Sequence, residues 1–176
     1  NMQPVKGQDI LIKAFALIAK QHPDLELVLV GDGPAKADLL ALAAGLGVYD
    51  RIRFLGSRNS GDISAALRAC TFYVQPSRNE GGHPLAVMEA MLAGKAVIAS
   101  AASGLQEMIQ HERNGLLSLP EDPADMSQHM QRLLSTPTLR QQLAEEGQKR
   151  AQETYSLAAM ALRYAALYTE VLHEQP

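Results

Sequence analysis

The sequence predicts an α/β protein with a doubly wound, mostly parallel sheet and a helical C-terminal tail. Three observations predict this class: short apolar runs that end in glycine or proline, amphipathic stretches between those runs, and a purely helical pattern from Pro123 onward. Short strands that alternate with helices favour right-handed crossovers and a parallel sheet covered on both faces. A chain of 176 residues is expected to form one domain, 1–176.

Five short, mostly apolar runs are expected to form the strands, because residues that break regular structure bound each of them. These runs are 25–30, 51–55, 71–75, 96–100 and 115–119. Gly31-Asp32-Gly33-Pro34 closes the first run, and Pro76-Ser77 closes the third. In parallel sheets of this kind ligands bind beyond the carboxyl ends of the strands, so the loops that follow the runs are candidate binding loops.

Between the strands, apolar residues recur at the spacing of helices that pack on a sheet. The expected helices are 10–18, 35–46, 62–69 and 85–93, followed in the tail by 126–134, 139–150 and 157–172. The last of them carries more apolar residues than one contact requires. It is predicted either to pack on the domain's own core or to dock on a domain outside this chain.

Composition and charge argue against several classes of function. The net charge is −3 at pH 7 and the basic residues are scattered, so a nucleic-acid partner is not expected. The single cysteine cannot form an internal disulfide, which favours a cytoplasmic location. Every apolar stretch is shorter than a bilayer is thick, so no transmembrane segment is expected.

Two nucleotide-binding motifs are only partly present. Gly31-Asp32-Gly33-Pro34 lacks the third glycine of the dinucleotide fingerprint, and Arg51 stands where that motif has an acidic residue. Gly94-Lys95 lacks the upstream glycine of a phosphate-binding P-loop. A nicotinamide cofactor and P-loop hydrolysis of ATP or GTP are therefore disfavoured.

The segment after the third strand is the most informative. Pro84 favours the start of a helix, whose free N–H groups would face the loop 80–83, and the two glycines of that loop allow a phosphate or sugar to approach closely. The helix 85–93 lacks a polar stripe and is expected to be buried nearly all round. Glu89 is its exception, so it is predicted either to accept ligand hydroxyls in a polar cleft or to form a structural ion pair.

Seven short motifs together match one family. They are Lys6-Gly7, Gly31-Asp32-Gly33-Pro34, Phe54-Leu55-Gly56, Pro76-Ser77, Glu80-Gly81, Glu89-Ala90-Met91 and Asn114-Gly115-Leu116. On these motifs the chain resembles, over essentially its whole length, the C-terminal domain of group 1 glycosyltransferases of the GT-B fold. The resemblance implies a Rossmann-like domain that binds a nucleotide sugar. It also implies that an N-terminal acceptor domain and the first strand of this domain belong before Asn1 and are missing.

The resemblance further implies roles for the matching residues. Glu89 would hold the two ribose hydroxyls of the nucleotide, and Glu80 would bind hydroxyls of the transferred sugar. Lys6 would neutralise the diphosphate and stabilise the leaving group, so Lys6 and Glu80 are the predicted catalytic residues. The other residues predicted to contact the donor are Gly31, Gly33, Gly81, Gly82, His83 and Leu85.

Two departures from the family pattern bear on these roles. Eight residues separate Glu80 from Glu89, whereas family members usually have seven between the two glutamates. Either the loop bulges at Gly81-Gly82, or Glu80 is displaced from the sugar. The phosphate-binding arginine of the family stands six residues before the lysine, a position that falls before Asn1.

The sequence therefore predicts the donor-binding half of a retaining glycosyltransferase of the hexosyltransferase type, from bacterial polysaccharide synthesis. It would transfer sugar from a nucleoside diphosphate to a saccharide or lipid-linked acceptor without a metal ion or other cofactor, and this chain alone is expected to be inactive. The longer enzyme would be cytoplasmic, with peripheral contact at the inner face of the membrane. Two alternatives stay open: a sugar-nucleotide epimerase of the same architecture, and a degenerate module that binds nucleotide sugars without chemistry.

Overall fold

Strands and helices alternate through the computed structural model, which describes residues 1–173. The strands are β1 (Leu27–Val30), β2 (Ile52–Gly56), β3 (Tyr73–Gln75), β4 (Val97–Ser100) and β5 (Leu116–Ser118). The helices are α1 (Gln8–Ala19), α2 (Lys36–Gly45), α3 (Ser60–Ala69), α4 (Leu85–Leu92), α5 (Leu105–Met108), α6 (Pro123–Ser135), α7 (Pro137–Tyr155) and α8 (Leu157–His173). The predicted α/β class and the helical tail are confirmed, while residues 174–176 of the predicted domain lie outside the described residues.

Every strand pair is parallel, but the described strands form two sheets instead of one continuous sheet. β1 pairs with β2, and β4 lies between β3 and β5. Within residues 1–173 no strand pairs with the second edge of β1 or of β3. The N-terminal segment contacts both sheets instead: the Met2 N–H donates to the Asp32 carbonyl at 2.8 Å, and the Arg78 N–H donates to the Val5 carbonyl at 2.9 Å. The carboxyl ends of the two sheets consequently meet the same stretch of chain.

The strand β4 shows that the sheet is covered on both faces. All four of its residues are buried, and successive side chains of a strand point to opposite faces. Ile98 belongs to a core cluster with residues of α1 and α6, whereas Val97 and Ala99 belong to a second cluster with residues of α4 and α5. A continuous apolar run such as this is typical of a parallel strand between two helical layers.

The helix α4 is less buried than its sequence predicts. Only Val87, Ala90 and Met91 are buried, and Leu85 at its start is 72% exposed. The expectation of a helix buried nearly all round is wrong, because α4 packs on the sheet and on α7 with one face only. Its other face, which carries Glu89, is open to solvent.

The last helix, α8, does not bury its apolar side chains on the domain's own core. It packs against α7, and its exposed large apolar side chains include Leu157, Leu162, Tyr168 and Leu172. The first of the two alternatives for this helix is therefore wrong for the described residues. Separately, none of the helices within 1–173 combines the length and the apolar character required to cross a bilayer.

Candidate functional site

The candidate site lies at the carboxyl edge of the strands, where the N-terminal segment meets the loop after β3. Gly7 adopts a φ of 66°, a left-handed conformation that favours glycine. A Cβ at this position would lie 2.0 Å from the carbonyl oxygen of Pro76, so a glycine is needed for the two segments to touch. Arg78 donates to both carboxylate oxygens of Asp9 at 2.8 Å each, and this bidentate pair holds the loop against α1.

Lys6 and Glu80, the two predicted catalytic residues, form an ion pair across this junction. The Lys6 Nζ donates to the Glu80 Oε1 at 2.9 Å and to its Oε2 at 2.8 Å. The Glu80 side chain is 7% exposed, whereas that of Lys6 is 28% exposed. The Lys6 side chain is therefore partly open to solvent, whereas the Glu80 carboxylate is buried.

A buried hydrogen-bond network surrounds the Glu80 carboxylate on its inner side. Its Oε1 accepts from the Gln75 Nε2 at 2.8 Å and from the Ser77 Oγ at 2.6 Å, and the Tyr73 hydroxyl donates in turn to the Gln75 Oε1. Burial alone would raise the pKa of Glu80, but the hydrogen bonds from Lys6 and Ser77 and the positive charge of Lys6 outweigh it, so this pKa lies below its ordinary value. The carboxylate is thus held in its ionised form.

The loop 80–84 packs against the protein on one side and is open on the other. A Cβ at Gly104 would lie 2.2 Å from the Gly82 carbonyl oxygen, so the loop rests directly on the main chain after β4. Cβ atoms at Gly81 or Gly82 would meet nothing within 4 Å. A ligand can therefore approach the outer side of these two residues without meeting a side chain.

His83, one of the residues predicted to contact the donor, is engaged in contacts within the protein. Its Nε2 lies 2.9 Å from the Glu107 Oε2, and its ring packs edge-on against Tyr155 with 5.4 Å between the ring centroids. Glu107 belongs to α5, and Tyr155 is the last residue of α7. These contacts anchor the end of the glycine loop just before α4.

The first turn of α4 offers main-chain donors toward the loop. Pro84 caps the helix, and the N–H groups of Val87 and Met88 donate to its carbonyl. The N–H groups of Leu85 and Ala86 come before any intrahelical acceptor, and no other acceptor for them is present within the described residues. This end of α4 is therefore suited to an anion.

Glu89 lies on the exposed face of α4 and makes neither a hydrogen bond nor an ion pair through its side chain within the described part of the chain. Of the two predictions for this residue, the structural ion pair is therefore not found there. Burial raises the pKa of Tyr73 strongly, and the negative charges of Glu80 and Glu89 raise it further. Both carboxylates thus act on the same phenol.

The predicted glycine pair after β1 lies at the same edge but against the protein itself. A Cβ at Gly33 would lie 2.3 Å from the Met2 carbonyl oxygen, and one at Gly31 would lie 3.2 Å from the Asn1 nitrogen. Between them, Asp32 forms an exposed ion pair with Lys36 at 2.7 Å, and this contact lowers the pKa of Asp32. Close approach does explain these glycines, although the segment that approaches them here is the N-terminal one.

The structure thus brings Lys6, Glu80 and the glycine loop into direct contact, and it leaves Glu89 apart on the helix. Sequence analysis gave no site role to two contributors, Gln75 and Ser77. A polar residue at the end of an apolar strand, as Gln75 is, would have been a usable signal, because a buried amide requires partners. Among residues 1–173, His, Cys, Asp and Glu side chains form no group of three or more that could hold a metal ion.

A family model for "Glycosyl transferases group 1" matches residues 1–150. Relatives include the D-inositol 3-phosphate glycosyltransferase of Salinispora arenicola, 36% identical over 86% of this chain, and an uncharacterized glycosyltransferase of Haemophilus influenzae, 32% identical over 80% of it. The chain covers 36% and 39% of the length of these two proteins. It therefore spans well under half the length of the curated relatives it matches.

Solved structures match the whole fold closely. The Anabaena protein HepE, crystallised in complex with UDP, superposes with a TM-score of 0.88 at 27% identity over 97% of this chain and 47% of its own. The C-terminal domain of a group 1 family glycosyl transferase (LpcC) from Francisella tularensis superposes with a TM-score of 0.81 at 28% identity, over 89% of this chain and 83% of that domain. The chain belongs to the group 1 family of glycosyltransferases, within which it corresponds to the C-terminal domain of a GT-B enzyme.

Proposed function

We propose that this domain binds the donor, a nucleoside-diphosphate sugar, for a retaining hexosyltransferase. The observation that carries the proposal is the accessible Lys6 ammonium group beside the open glycine loop that leads into α4. A cation, free N–H donors and an unhindered main chain together suit a diphosphate that is bonded to a sugar. The complex of the Anabaena protein HepE with UDP-glucose supports a donor of this class.

Glu89 is the proposed ligand for the ribose of the nucleotide. It stands four residues after Leu85, so it lies one helical turn from the N-terminus of α4 and on the same face. An ionised carboxylate has two acceptor oxygens, which suit the two neighbouring hydroxyls of a ribose. A ribose bound by Glu89 would lie next to a diphosphate at the start of α4, as a nucleotide requires.

In the proposed reaction the bond between the anomeric carbon and the diphosphate oxygen breaks, and negative charge develops on the departing diphosphate. Lys6 and the first-turn N–H groups of α4 stabilise that charge. Because these groups supply positive charge, we propose that transfer requires no metal ion or organic cofactor. The rate of the longer enzyme is expected to be unchanged in EDTA, and a rate that falls in EDTA and returns with Mg²⁺ would contradict this part of the proposal.

The acceptor, a saccharide or a lipid-linked sugar, would be bound by a second domain outside this chain. The exposed apolar side chains of α8 are proposed to contact that domain. Replacing Leu162 and Tyr168 by serine should then leave nucleotide affinity unchanged and weaken the association of the two halves, measured by pull-down of separately produced domains. A cytoplasmic location with peripheral membrane contact stays a prediction from the sequence.

Calorimetric titration of this chain with UDP, GDP, ADP and their glucose conjugates tests donor binding directly. One of the nucleotides should bind, and Glu89→Ala should lower its affinity about 100-fold, since two hydrogen bonds to a charged group are lost. Glu146→Ala is the matched control, because Glu146 is also an exposed helical glutamate without a side-chain partner in the described structure. Equal affinities for Glu89→Ala and wild type would overturn the ribose assignment.

Product analysis on the longer enzyme separates transfer from the alternatives. Transfer predicts a glycosylated product only when an acceptor is present. A converted donor without an acceptor would indicate the epimerase, and donor binding without any product would indicate a non-catalytic module. The chain alone is expected to bind donor and to transfer nothing.

A further inference from the structure

Most of the acceptor capacity of the Glu80 carboxylate is already used by the protein itself. An ionised carboxylate offers about four lone-pair positions. Four hydrogen bonds are already made: Oε1 accepts from Lys6, Gln75 and Ser77, and Oε2 accepts from Lys6. Only Oε2 keeps an unused position. Because only 7% of the side chain is exposed, a sugar hydroxyl has little access to that position.

We propose that Glu80 is a positioning residue, which holds Lys6 at the diphosphate and does not contact the transferred sugar. This inference rests on the proposed function of the same site. The Glu80 side chain is buried, whereas the Lys6 side chain that it holds is partly exposed to solvent. Glu80 therefore fixes the position of the Lys6 ammonium group, and this group contacts the diphosphate of the ligand.

The buried network explains why Glu80 can hold this position. Gln75 and Ser77 donate to one carboxylate oxygen from the end of β3, and the buried Tyr73 hydroxyl fixes the orientation of the Gln75 amide. A free lysine side chain samples many rotamers, so a charge at a defined place requires such a partner. Without Glu80, the ammonium group would have no anionic partner in this network.

The spacing of the two glutamates agrees with this role. Counting back from Glu89 with seven intervening residues reaches Gly81, and Glu80 lies one residue deeper. Gly81 and Gly82 are the residues with open space on their outer side. The main chain of these two glycines, in place of a carboxylate, is thus the surface that faces the transferred sugar.

The test compares three ligands on two glutamate-to-glutamine variants of this chain. Glu80→Gln keeps an acceptor for Ser77 and Gln75 but loses the charge that holds Lys6, and Glu26→Gln, an exposed glutamate before β1, is the matched control. The ligands are uridine, UDP and UDP-glucose, titrated calorimetrically. Glu80→Gln should lower the affinities for UDP and for UDP-glucose by the same factor, about tenfold, and leave that for uridine unchanged.

Different outcomes identify which idea fails. If Glu80→Gln weakens UDP-glucose while UDP binds as to wild type, Glu80 contacts the sugar and the inference is overturned. Unchanged or tighter binding of UDP would overturn it as well. If wild type binds none of the three ligands and none of the corresponding guanosine or adenosine compounds, the proposed function itself fails.

Two further variants, Lys6→Met and Lys6→Met combined with Glu80→Gln, separate the role of Glu80 from an effect of the substitution on folding. In a Lys6→Met background, where the ammonium group is already absent, Glu80→Gln should change the affinity for UDP by less than about twofold. Thermal unfolding of each variant, followed by circular dichroism, checks that it is folded at the temperature of titration. An additional tenfold loss in the Lys6→Met background would show that Glu80 acts on the ligand without Lys6, which contradicts the inference.

Discussion

The two glutamates of this site, Glu80 and Glu89, are nine positions apart in the sequence, yet their surroundings are opposite. Glu80 is buried and accepts four hydrogen bonds from Lys6, Gln75 and Ser77. Glu89 is exposed and has no side-chain partner within residues 1–173. The comparison teaches that membership of one motif does not give two carboxylates the same role: donors already bound decide what each can still accept.

Physical chemistry explains why the difference matters for function. A carboxylate taken out of water needs several donors to remain ionised, and those donors then occupy its oxygens. An exposed carboxylate retains its acceptor capacity for a ligand. Glu80 is therefore suited to hold a protein cation, and Glu89 to bind hydroxyls. The predictions below are ordered by the expected change in the free energy of unfolding.

The largest effect is expected at Gly7, where the N-terminal segment packs against the loop after β3. Gly7→Ala should lower the free energy of unfolding by about 3 kcal/mol, because the new Cβ meets the Pro76 carbonyl in a left-handed conformation. Gly81→Ala, on the open side, should change it by less than about 0.5 kcal/mol. Urea denaturation of both variants measures the contrast, and equal destabilisation would show that the two sides do not differ in packing.

Removal of the lysine should have the next largest effect. Lys6→Ala leaves the Glu80 carboxylate buried without its cation, which should lower the free energy of unfolding by about 2 kcal/mol. Glu89→Ala removes an exposed, unpaired side chain and should change it by less than about 0.5 kcal/mol. The same denaturation experiment applies, and a loss at Glu89 as large as that at Lys6 would break the comparison.

The buried Glu80 carboxylate should make the free energy of unfolding depend on pH in the acidic range. The pKa of folded Glu80 lies below its ordinary value of 4.5, so the stability contributed by its ionised form is complete above about pH 4.5 and is lost as pH falls through the folded pKa. Glu80→Gln should therefore reduce the loss of stability between neutral and acidic pH, measured by urea denaturation at both pH values. Identical pH profiles for this variant and wild type would contradict the proposed burial of the charge.

The smallest effect concerns a histidine outside the site, and it supplies a control in a separate pH window. Burial lowers the pKa of His129 below its ordinary value of 6.5, and the charge of Asp125 offsets this only in part. The folded state therefore binds fewer protons than the unfolded state, and stability falls as pH decreases from about 6.5 toward the folded pKa. His129→Gln should remove that dependence without altering the acid limb assigned to Glu80. Thermal melts between pH 5 and pH 7 would show whether it does.

Most elements of the fold follow from sequence periodicity, and the failures have physical causes. All five strands lie within one or two residues of their predicted bounds, since apolar runs closed by turn residues are a strong signal. The four-residue helix α5 is too short to show a period. The exposure of α8 could not be predicted, because an apolar helix face has the same sequence whether its partner is the domain's own core or another domain.

Lys6, Glu80 and the glycine loop of the site were predictable, but Gln75, Ser77 and the contacts among these residues were not. Lys6 and Glu80 could be named from motifs, yet their mutual contact depends on how Gly7 lets the N-terminal segment approach Pro76. Gln75 gave only a weak signal, and nothing in the sequence indicates that it donates to Glu80. Contacts between residues far apart in the chain depend on tertiary packing, which a periodic pattern does not encode.

The most direct test of the account is a crystal structure of this chain with whichever of UDP, GDP or ADP binds. The account predicts that both ribose hydroxyls donate to the Glu89 carboxylate and that the Lys6 ammonium group contacts the diphosphate while it remains paired with Glu80. A ribose away from α4, or a Glu80 carboxylate that has released Lys6 to contact the ligand itself, would contradict the assigned division of roles between the two glutamates.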